Sequence, residues 1–143
     1  GIDGVVSTAA GYALAAPDRI NTVITGDLAF FYDSNALWIK HLPANLRIIV
    51  INNGGGGIFR FIDGAPNMPQ LETHYEARHR FQAAGLAGTF GLDYYVADNE
   101  KELRDNLDQL YRTNHRQAAI LEILTPTELN ASVLKQYFNY LKG

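Results

Sequence analysis

The sequence predicts a doubly wound α/β domain, in which helices cover both faces of one parallel sheet. Two observations lead to this fold class. Short apolar runs rich in β-branched residues alternate with longer segments whose apolar residues have helical spacing. The first two of these runs end in Gly, Asp or Asn, as buried strands do where they reach a functional edge of the sheet.

The predicted elements follow this alternation along the chain. The apolar runs predict strands at residues 20–27, 46–53, 92–97 and 118–124. A run rich in small residues predicts a helix at residues 5–16, which Pro17 ends. Apolar residues at helical spacing predict helices at residues 30–40, 74–90 and 129–141. One more helix is expected after Asn99, because Glu102 lies at the spacing of a capping box. Residues 63–71 contain glycine and prolines and are predicted to be irregular.

Composition excludes several classes of function. The 12 Lys and Arg residues against 15 Asp and Glu residues give a net charge of −3, and no basic stripe stands out, so nucleic acid is not an expected partner. The absence of cysteine excludes a disulfide scaffold and a thiolate metal site. No apolar stretch is long enough to span a bilayer, so a membrane is not an expected partner either. We expect a packed cytoplasmic domain.

The candidate ligand-binding residues are concentrated in residues 26–59. Asp27 follows the first predicted strand and Asn53 follows the second. The carboxyl ends of parallel strands joined by a crossover helix emerge at one edge, where open α/β sheets bind ligands. We therefore expect these two side chains to converge there.

The residue types at this edge suit a magnesium ion that carries a diphosphate. A carboxylate, an amide oxygen and a backbone carbonyl are hard donors, and Mg²⁺ completes its shell with phosphate and water. Four consecutive glycines, at residues 54–57, allow a ligand to approach the backbone closely. Leu28 and Ala29 are predicted to open a helix whose N–H groups can receive phosphate oxygens. The sequence thus predicts a magnesium-diphosphate clamp.

The paired motifs resemble the signature of thiamine-diphosphate-dependent enzymes. They are Gly-Asp at 26–27 and Asn-Asn at 52–53, each after a predicted strand. Most pyruvate-type members carry glycine after the Gly-Asp pair, whereas this sequence has Leu28. This leucine, the four glycines followed by Ile-Phe at 58–59, and the opening residues 1–9 are similar to the synthases of menaquinone biosynthesis. The resemblance covers essentially the whole chain, but only the C-terminal third of such a protein. We therefore expect residues 1–143 to be the diphosphate-binding domain of a longer multidomain chain.

The resemblance implies a transferase that uses thiamine diphosphate and Mg²⁺, with Mn²⁺ as an alternative metal. Its implied substrates are 2-oxoglutarate, which loses carbon dioxide, and isochorismate, which accepts the remaining four-carbon group. The implied metal ligands are Asp27, Asn53 and the carbonyl of Gly55. The other residues implied to contact the cofactor are Ile2, Gly26, Leu28, Ala29, Gly56, Gly57, Ile58 and Phe59.

No catalytic residue is assigned to this chain. In the resembled family, the glutamate that activates the cofactor comes from a pyrimidine-binding domain on a neighbouring subunit. The resemblance therefore implies a homo-oligomer, a dimer or a tetramer, and we expect the 143 residues to be inactive alone.

Some interpretations remain open at this point. The domain could belong to another thiamine-diphosphate 2-oxoacid decarboxylase or to an acetohydroxyacid-type lyase, although Leu28 and the four glycines argue against both. It could instead be a non-catalytic α/β interaction module whose glycines serve packing. Ile2 could pack in the core rather than support the cofactor, and Arg60 could be solvent-exposed or bind an anionic substrate. His74 and His79 are expected to be surface or structural residues rather than metal ligands.

Overall fold

The computed structural model describes residues 2–61, 68–112 and 115–143. Within these ranges the chain forms a four-stranded, all-parallel sheet in the order β1-β2-β4-β3. The strands are β1 (Asn21–Gly26), β2 (Leu46–Asn52), β3 (Asp93–Ala97) and β4 (Ala119–Leu124). All four predicted strands are confirmed to within one residue at each end. Most of the irregular segment predicted at 63–71 lies outside the described residues.

Helices precede, connect and follow these strands. The α-helices are α1 (Val5–Ala15), α2 (Asp27–Tyr32), α3 (Ala84–Phe90), α4 (Glu100–Leu110) and α5 (Thr127–Leu141). Short 3₁₀ turns lie at Ser34–Trp38 and Gly57–Arg60, and a π-helical turn at Leu71–Tyr75. The predicted cap of α4 is confirmed, because Asn99 Oδ1 accepts a hydrogen bond from the Glu102 N–H at 2.9 Å. No helix in the described ranges has both the length and the apolar character needed to cross a membrane.

The sheet separates two apolar cores, which confirms the predicted doubly wound architecture. One core packs α1, α2 and α3 against the face of β2 that carries Ile48 and Val50. The other packs α4 against the opposite face, which carries Ile49 of β2 and Leu121 of β4. Alternate residues of β2 thus enter different cores, as expected for a strand that is buried on both sides.

The helix predicted at residues 30–40 is confirmed only in part, because its bounds differ and a 3₁₀ turn forms its second half. It begins three residues earlier, at Asp27, and its α-helical part ends at Tyr32. The Asp33 carboxylate accepts hydrogen bonds from the Ser7 N–H at 2.6 Å and from Ser7 Oγ at 2.5 Å. This contact with α1 holds the chain where the α-helix ends and a 3₁₀ turn begins.

The helix predicted at residues 74–90 is wrong. A π-helical turn ends at Tyr75, and α3 begins only at Ala84. Between them Glu76 is buried in ion pairs and Ala77 has a left-handed backbone with φ of 47°. Left-handed backbone is costly for a residue other than glycine and is incompatible with a continuing right-handed helix.

The chain divides into two compact units. The first unit, Gly1–Asn52 with Gln82–Leu124, holds the sheet and both apolar cores. The second unit, Asn53–Phe81 with Thr125–Gly143, holds the four glycines and α5. Within the second unit, α5 packs near the 3₁₀ turn at Gly57–Arg60, and the Thr127 hydroxyl donates to the carbonyl of Asn53.

Candidate functional site

The first unit brings the end of β1 and the end of β2 to one edge of the sheet. The two strands pair in parallel with Gly26 opposite Ile51, and β2 ends one residue later at Asn52. Asp27 follows Gly26 directly and is the first residue of α2. Ligands of open parallel sheets bind outside such carboxyl ends. This part of the predicted geometry is therefore present in the first unit.

Asp27 supplies a buried carboxylate at this edge. Its side chain is only 2% exposed, and Oδ1 accepts a hydrogen bond from the Leu28 N–H at 2.7 Å. An oriented carboxylate of this kind is a suitable ligand for a hard divalent cation.

The two adjacent asparagines have different environments. Asn52 is buried in the first unit, where Nδ2 donates to Oε1 of Glu122 at 2.7 Å. Asn53 begins the second unit and is partly buried, and its carbonyl accepts the Thr127 hydroxyl. Asn52 is thus bonded in the interior of the first unit, and Asn53 as a ligand stays a prediction.

Glu122, the partner of Asn52, is a buried carboxylate that the sequence reasoning missed. It is fully buried in β4, and its carboxylate also accepts the Ala83 N–H at 3.1 Å and the Tyr94 hydroxyl at 2.5 Å. Burial and the hydrogen bond to Glu122 raise the pKa of Tyr94. The sequence does show one carboxylate inside an apolar strand. Since charged residues are rarely buried without partners, this pattern could have predicted a buried polar contact at Glu122.

The glycine loop (residues 54–57) belongs to the second unit and has an unusual backbone. The φ angles of Gly54 and Gly55 are 75° and 152°, which L side chains rarely adopt. A Cβ atom added to Gly55 would lie 2.6 Å from the carbonyl oxygen of Glu76, so a side chain does not fit there without movement. Glycine is required at this position by both conformation and space.

A second stretch, the support segment (residues 76–79), is hydrogen-bonded to the glycine loop. The Gly56 N–H donates to the Glu76 carbonyl at 2.5 Å, and the His79 N–H donates to the Gly54 carbonyl at 3.0 Å. These two bonds flank Gly55, the predicted carbonyl ligand. The His79 ring stacks on Phe81 with a centroid distance of 4.9 Å, which supports its predicted structural role.

The ion-pair cluster of Arg60, Glu72, Glu76 and Arg78 holds the support segment. Glu76 is 1% exposed and accepts from Nε of Arg60 and from Nε of Arg78, the latter at 2.9 Å. Glu72 is 60% exposed and contacts the same two arginines at 3.2 and 3.1 Å. Burial alone would raise the pKa of Glu76, but the hydrogen bonds from Arg60 and Arg78 lower it overall. Arg60 is thus neither freely solvated nor available as an unpaired anion receptor.

The other predicted site residues differ in exposure. Ile2 is 47% exposed and does not pack in the core of this chain, so that alternative for Ile2 is wrong. Ile58 is 61% exposed, whereas Phe59 is partly buried with its ring 5.4 Å from that of Tyr75. Ala29 and Gly55 are buried, Gly26 is exposed, and the others are partly buried, namely Leu28, Asn53, Gly56 and Gly57.

These residues fit a magnesium ion and a diphosphate in their chemistry. Asp27 offers a buried anionic oxygen at the strand edge. Gly55 offers a backbone carbonyl in a loop that carries no side chains. Such a set leaves a hard cation in need of further oxygen donors, which phosphate supplies.

Comparison with known proteins finds one matching family model and several similar proteins. Residues 4–123 match the family model described as thiamine pyrophosphate enzyme, C-terminal TPP binding domain. A 2-succinyl-5-enolpyruvyl-6-hydroxy-3-cyclohexene-1-carboxylate synthase from Christiangramia forsetii is 43% identical over 143 residues, which are 100% of this chain and 24% of the relative. The synthase of the same name from Flavobacterium johnsoniae is 47% identical over 141 residues, 99% of this chain and 25% of the relative. A third, from Porphyromonas gingivalis, is 43% identical over 143 residues, 100% of this chain and 24% of the relative. The chain spans about a quarter of the length of these curated relatives.

Proposed function

The chain belongs to the thiamine pyrophosphate enzyme family as its C-terminal cofactor-binding domain, and we propose that it holds the diphosphate of this cofactor through Mg²⁺. The main observation in support of the metal site is the buried Asp27 carboxylate at the edge where β1 and β2 end. We propose that residues 1–143 make up this domain within a longer protein.

The proposed metal ligands are Asp27, the Asn53 side chain and the Gly55 carbonyl, with Mn²⁺ as an alternative to Mg²⁺. Asn53 follows directly on β2, and Gly55 lies two residues beyond it. The Leu28 N–H, which donates to Asp27, orients the carboxylate. A single protein carboxylate suits a cation whose other anionic ligands come from the diphosphate, because a second carboxylate would repel it.

The remaining contacts are proposed for the rest of the cofactor. Ile58 and Ile2 are exposed apolar side chains, which suits contact with the cofactor's rings. We assign Phe59 the same role as Ile58, and its ring lies 5.4 Å from that of Tyr75. The residues proposed to lie along the diphosphate are Gly26, Leu28, Ala29, Gly56 and Gly57.

For the full-length protein we propose the synthase reaction named in the relatives. The bound cofactor supplies the electron sink that allows a 2-oxoacid to lose carbon dioxide and its remaining group to be transferred. The proposed substrates are 2-oxoglutarate and isochorismate, in menaquinone biosynthesis. Identities of 43% and 47% to synthases of this name, and Leu28 after the Gly-Asp pair, support this choice. The contribution of this chain is to bind and orient the cofactor, and no proton-transfer residue is assigned to it.

The proposed partner is a pyrimidine-binding domain of a neighbouring subunit in a cytoplasmic homo-oligomer, a dimer or tetramer. Large apolar side chains in the described part of the first unit support an interface of this kind. Ile24, Tyr32 and Trp38 are 68%, 70% and 76% exposed. Exposed apolar side chains of this size are typical of surfaces that pack against another domain. The isolated chain is expected to lack activity.

The test uses the full-length protein that carries this chain. Calorimetry should detect thiamine diphosphate binding in the presence of Mg²⁺ and much weaker binding with a chelator. An assay should then give turnover with 2-oxoglutarate and isochorismate but not with pyruvate. Turnover with pyruvate would favour another thiamine-diphosphate decarboxylase or lyase. Absence of cofactor binding would favour the non-catalytic module.

A further inference from the structure

The support segment (residues 76–79) has features that the proposed metal site does not use. Its first residue, Glu76, is a buried carboxylate, and its second, Ala77, holds a left-handed backbone with φ of 47°. Such a conformation persists in a residue other than glycine only where the surroundings enforce it, and it is enriched at functional sites.

The backbone of this segment determines the position of the glycine loop. The Glu76 carbonyl accepts the Gly56 N–H, and the His79 N–H donates to the Gly54 carbonyl, so the loop is tied on both sides of Gly55. The Glu76 carbonyl also fills the space that a Gly55 side chain would need. Movement of Glu76 would therefore displace the Gly55 carbonyl.

The side chain of Glu76 fixes the segment in turn. Its two carboxylate oxygens are shared between Arg60 and Arg78, and it is nearly inaccessible to solvent. Charge-assisted hydrogen bonds of this kind are strong and directional. Glu72 contacts the same arginines but is 60% exposed, and exposed ion pairs contribute little.

We propose that Glu76 is a positioning residue for the cofactor-bound metal, which acts by holding the glycine loop so that the Gly55 carbonyl is oriented as a ligand. The inference rests on the proposed function, because it concerns the same metal site. Glu76 does not touch the metal or the cofactor. Its role corresponds to that of residues that orient the ligands of other metal sites through hydrogen bonds. Loss of such residues typically weakens metal binding about 10- to 100-fold.

The test compares Glu76→Gln with Glu72→Gln in the full-length protein. Both substitutions remove a carboxylate from the same two arginines, but only Glu76 belongs to the segment that is bonded to the glycine loop. Calorimetry of Mg²⁺–thiamine diphosphate should show binding about tenfold weaker in Glu76→Gln and within about twofold of wild type in Glu72→Gln.

Two further readouts distinguish positioning from general stability. In the cofactor-free protein, amide hydrogen exchange of peptides covering residues 54–57 should accelerate in Glu76→Gln, with no such change in peptides from β2 or β4. The Mg²⁺–cofactor concentration needed for half-maximal activity should rise about tenfold, while kcat at saturation stays within about twofold of wild type. A fall in kcat without a change in binding would contradict the proposal.

A second variant covers the case in which Glu76→Gln does not fold. Arg78→Gln removes one partner of Glu76 whose side chain is 41% exposed, so the fold should tolerate it. It should weaken cofactor binding in the same direction, and unchanged binding would overturn the proposal. If the wild type binds the cofactor and Glu76→Gln binds it equally well, this inference alone is overturned. Absence of cofactor binding by the wild type would overturn the proposed function as well.

Discussion

Asn52 Nδ2 donates a hydrogen bond to Glu122 Oε1 at 2.7 Å in the interior of the first unit. The bond joins the last residue of β2 to the neighbouring strand β4. Since Asn53 follows directly, the bond fixes the point at which the chain leaves the sheet. The Tyr94 hydroxyl and the Ala83 N–H also donate to this carboxylate. Through these bonds Glu122 contacts β3 and the residue that precedes α3.

Glu122→Ala should destabilise the protein strongly. It removes the acceptor of the Ala83 N–H and of the Tyr94 hydroxyl and one hydrogen bond of Asn52, and an unsatisfied buried donor costs about 1–3 kcal/mol. The melting temperature of the full-length protein should fall by several degrees. Glu100→Ala, which removes an exposed carboxylate paired with Arg104, is the control and should change it little. Equal melting temperatures for the two variants would contradict this role of Glu122.

Tyr94 should make stability depend on pH in the alkaline range. Burial and the hydrogen bond to Glu122 raise its pKa in the folded protein, so the unfolded chain releases this proton first. The resulting stabilisation is complete below pH about 10 and is lost as the pH rises above that value. In alkaline denaturation, the Tyr94→Phe variant should not show this additional loss of stability. A wild type and a Tyr94→Phe variant with parallel pH dependence would contradict the assignment.

Ser7→Ala should reduce stability near neutral pH and make stability less dependent on pH in acid. Burial alone would raise the pKa of Asp33, but hydrogen bonds from Ser7 Oγ, the Ser7 N–H and the Val6 N–H lower it overall. The stabilisation is therefore present above the ordinary aspartate pKa of about 3.9 and is lost as the pH falls through the lower folded value. Without the Ser7 hydroxyl, the folded pKa of Asp33 should lie closer to the ordinary value, so the variant should lose less stability in acid denaturation than the wild type. Thr8→Ala, which removes a hydroxyl bonded to the Gly4 carbonyl of the same region, should leave the acid dependence as in the wild type.

Gly57→Ala should weaken metal binding without unfolding the protein. The added Cβ would lie 2.7 Å from Nδ2 of Asn53, so the amide of the proposed ligand must move. We expect Mg²⁺–cofactor binding about tenfold weaker by calorimetry. Gly11→Ala in α1, where a Cβ meets no atom within 4 Å, is the control and should retain binding. Unchanged binding in Gly57→Ala would argue against Asn53 as a ligand.

The strands could be predicted from the sequence because their signal is local. β2 is an apolar, β-branched run buried on both faces, and its end is marked by two asparagines. The parallel pairing with β1 then follows from the general rules of crossover connections, and it brings Asp27 and the end of β2 to one edge.

The errors arise where distant contacts decide the backbone. α2 ends where Asp33 is bonded to Ser7, 26 residues away, and no local pattern encodes that bond. The segment after Tyr75 leaves the helical conformation where Glu76 is paired with Arg60, 16 residues away. Helical spacing of apolar residues was present in both segments, but tertiary interactions override such preferences. Ion-pair clusters of this kind are evident only in the structure.

The most direct test of the clamp is calorimetric titration of the full-length protein with thiamine diphosphate and Mg²⁺, comparing wild type, Asp27→Asn and Asp33→Asn. Asp27→Asn keeps an oxygen that can accept the Leu28 N–H, so the fold should be retained while the metal loses its only anionic protein ligand. Asp33→Asn is the control. It removes another buried carboxylate, which accepts hydrogen bonds from Ser7 and has no proposed contact with the cofactor. We predict that Mg²⁺-dependent binding falls on the order of 100-fold or more in Asp27→Asn and is retained in Asp33→Asn. Wild-type Mg²⁺-dependent affinity in a folded Asp27→Asn variant would contradict the metal site proposed at this edge of the sheet.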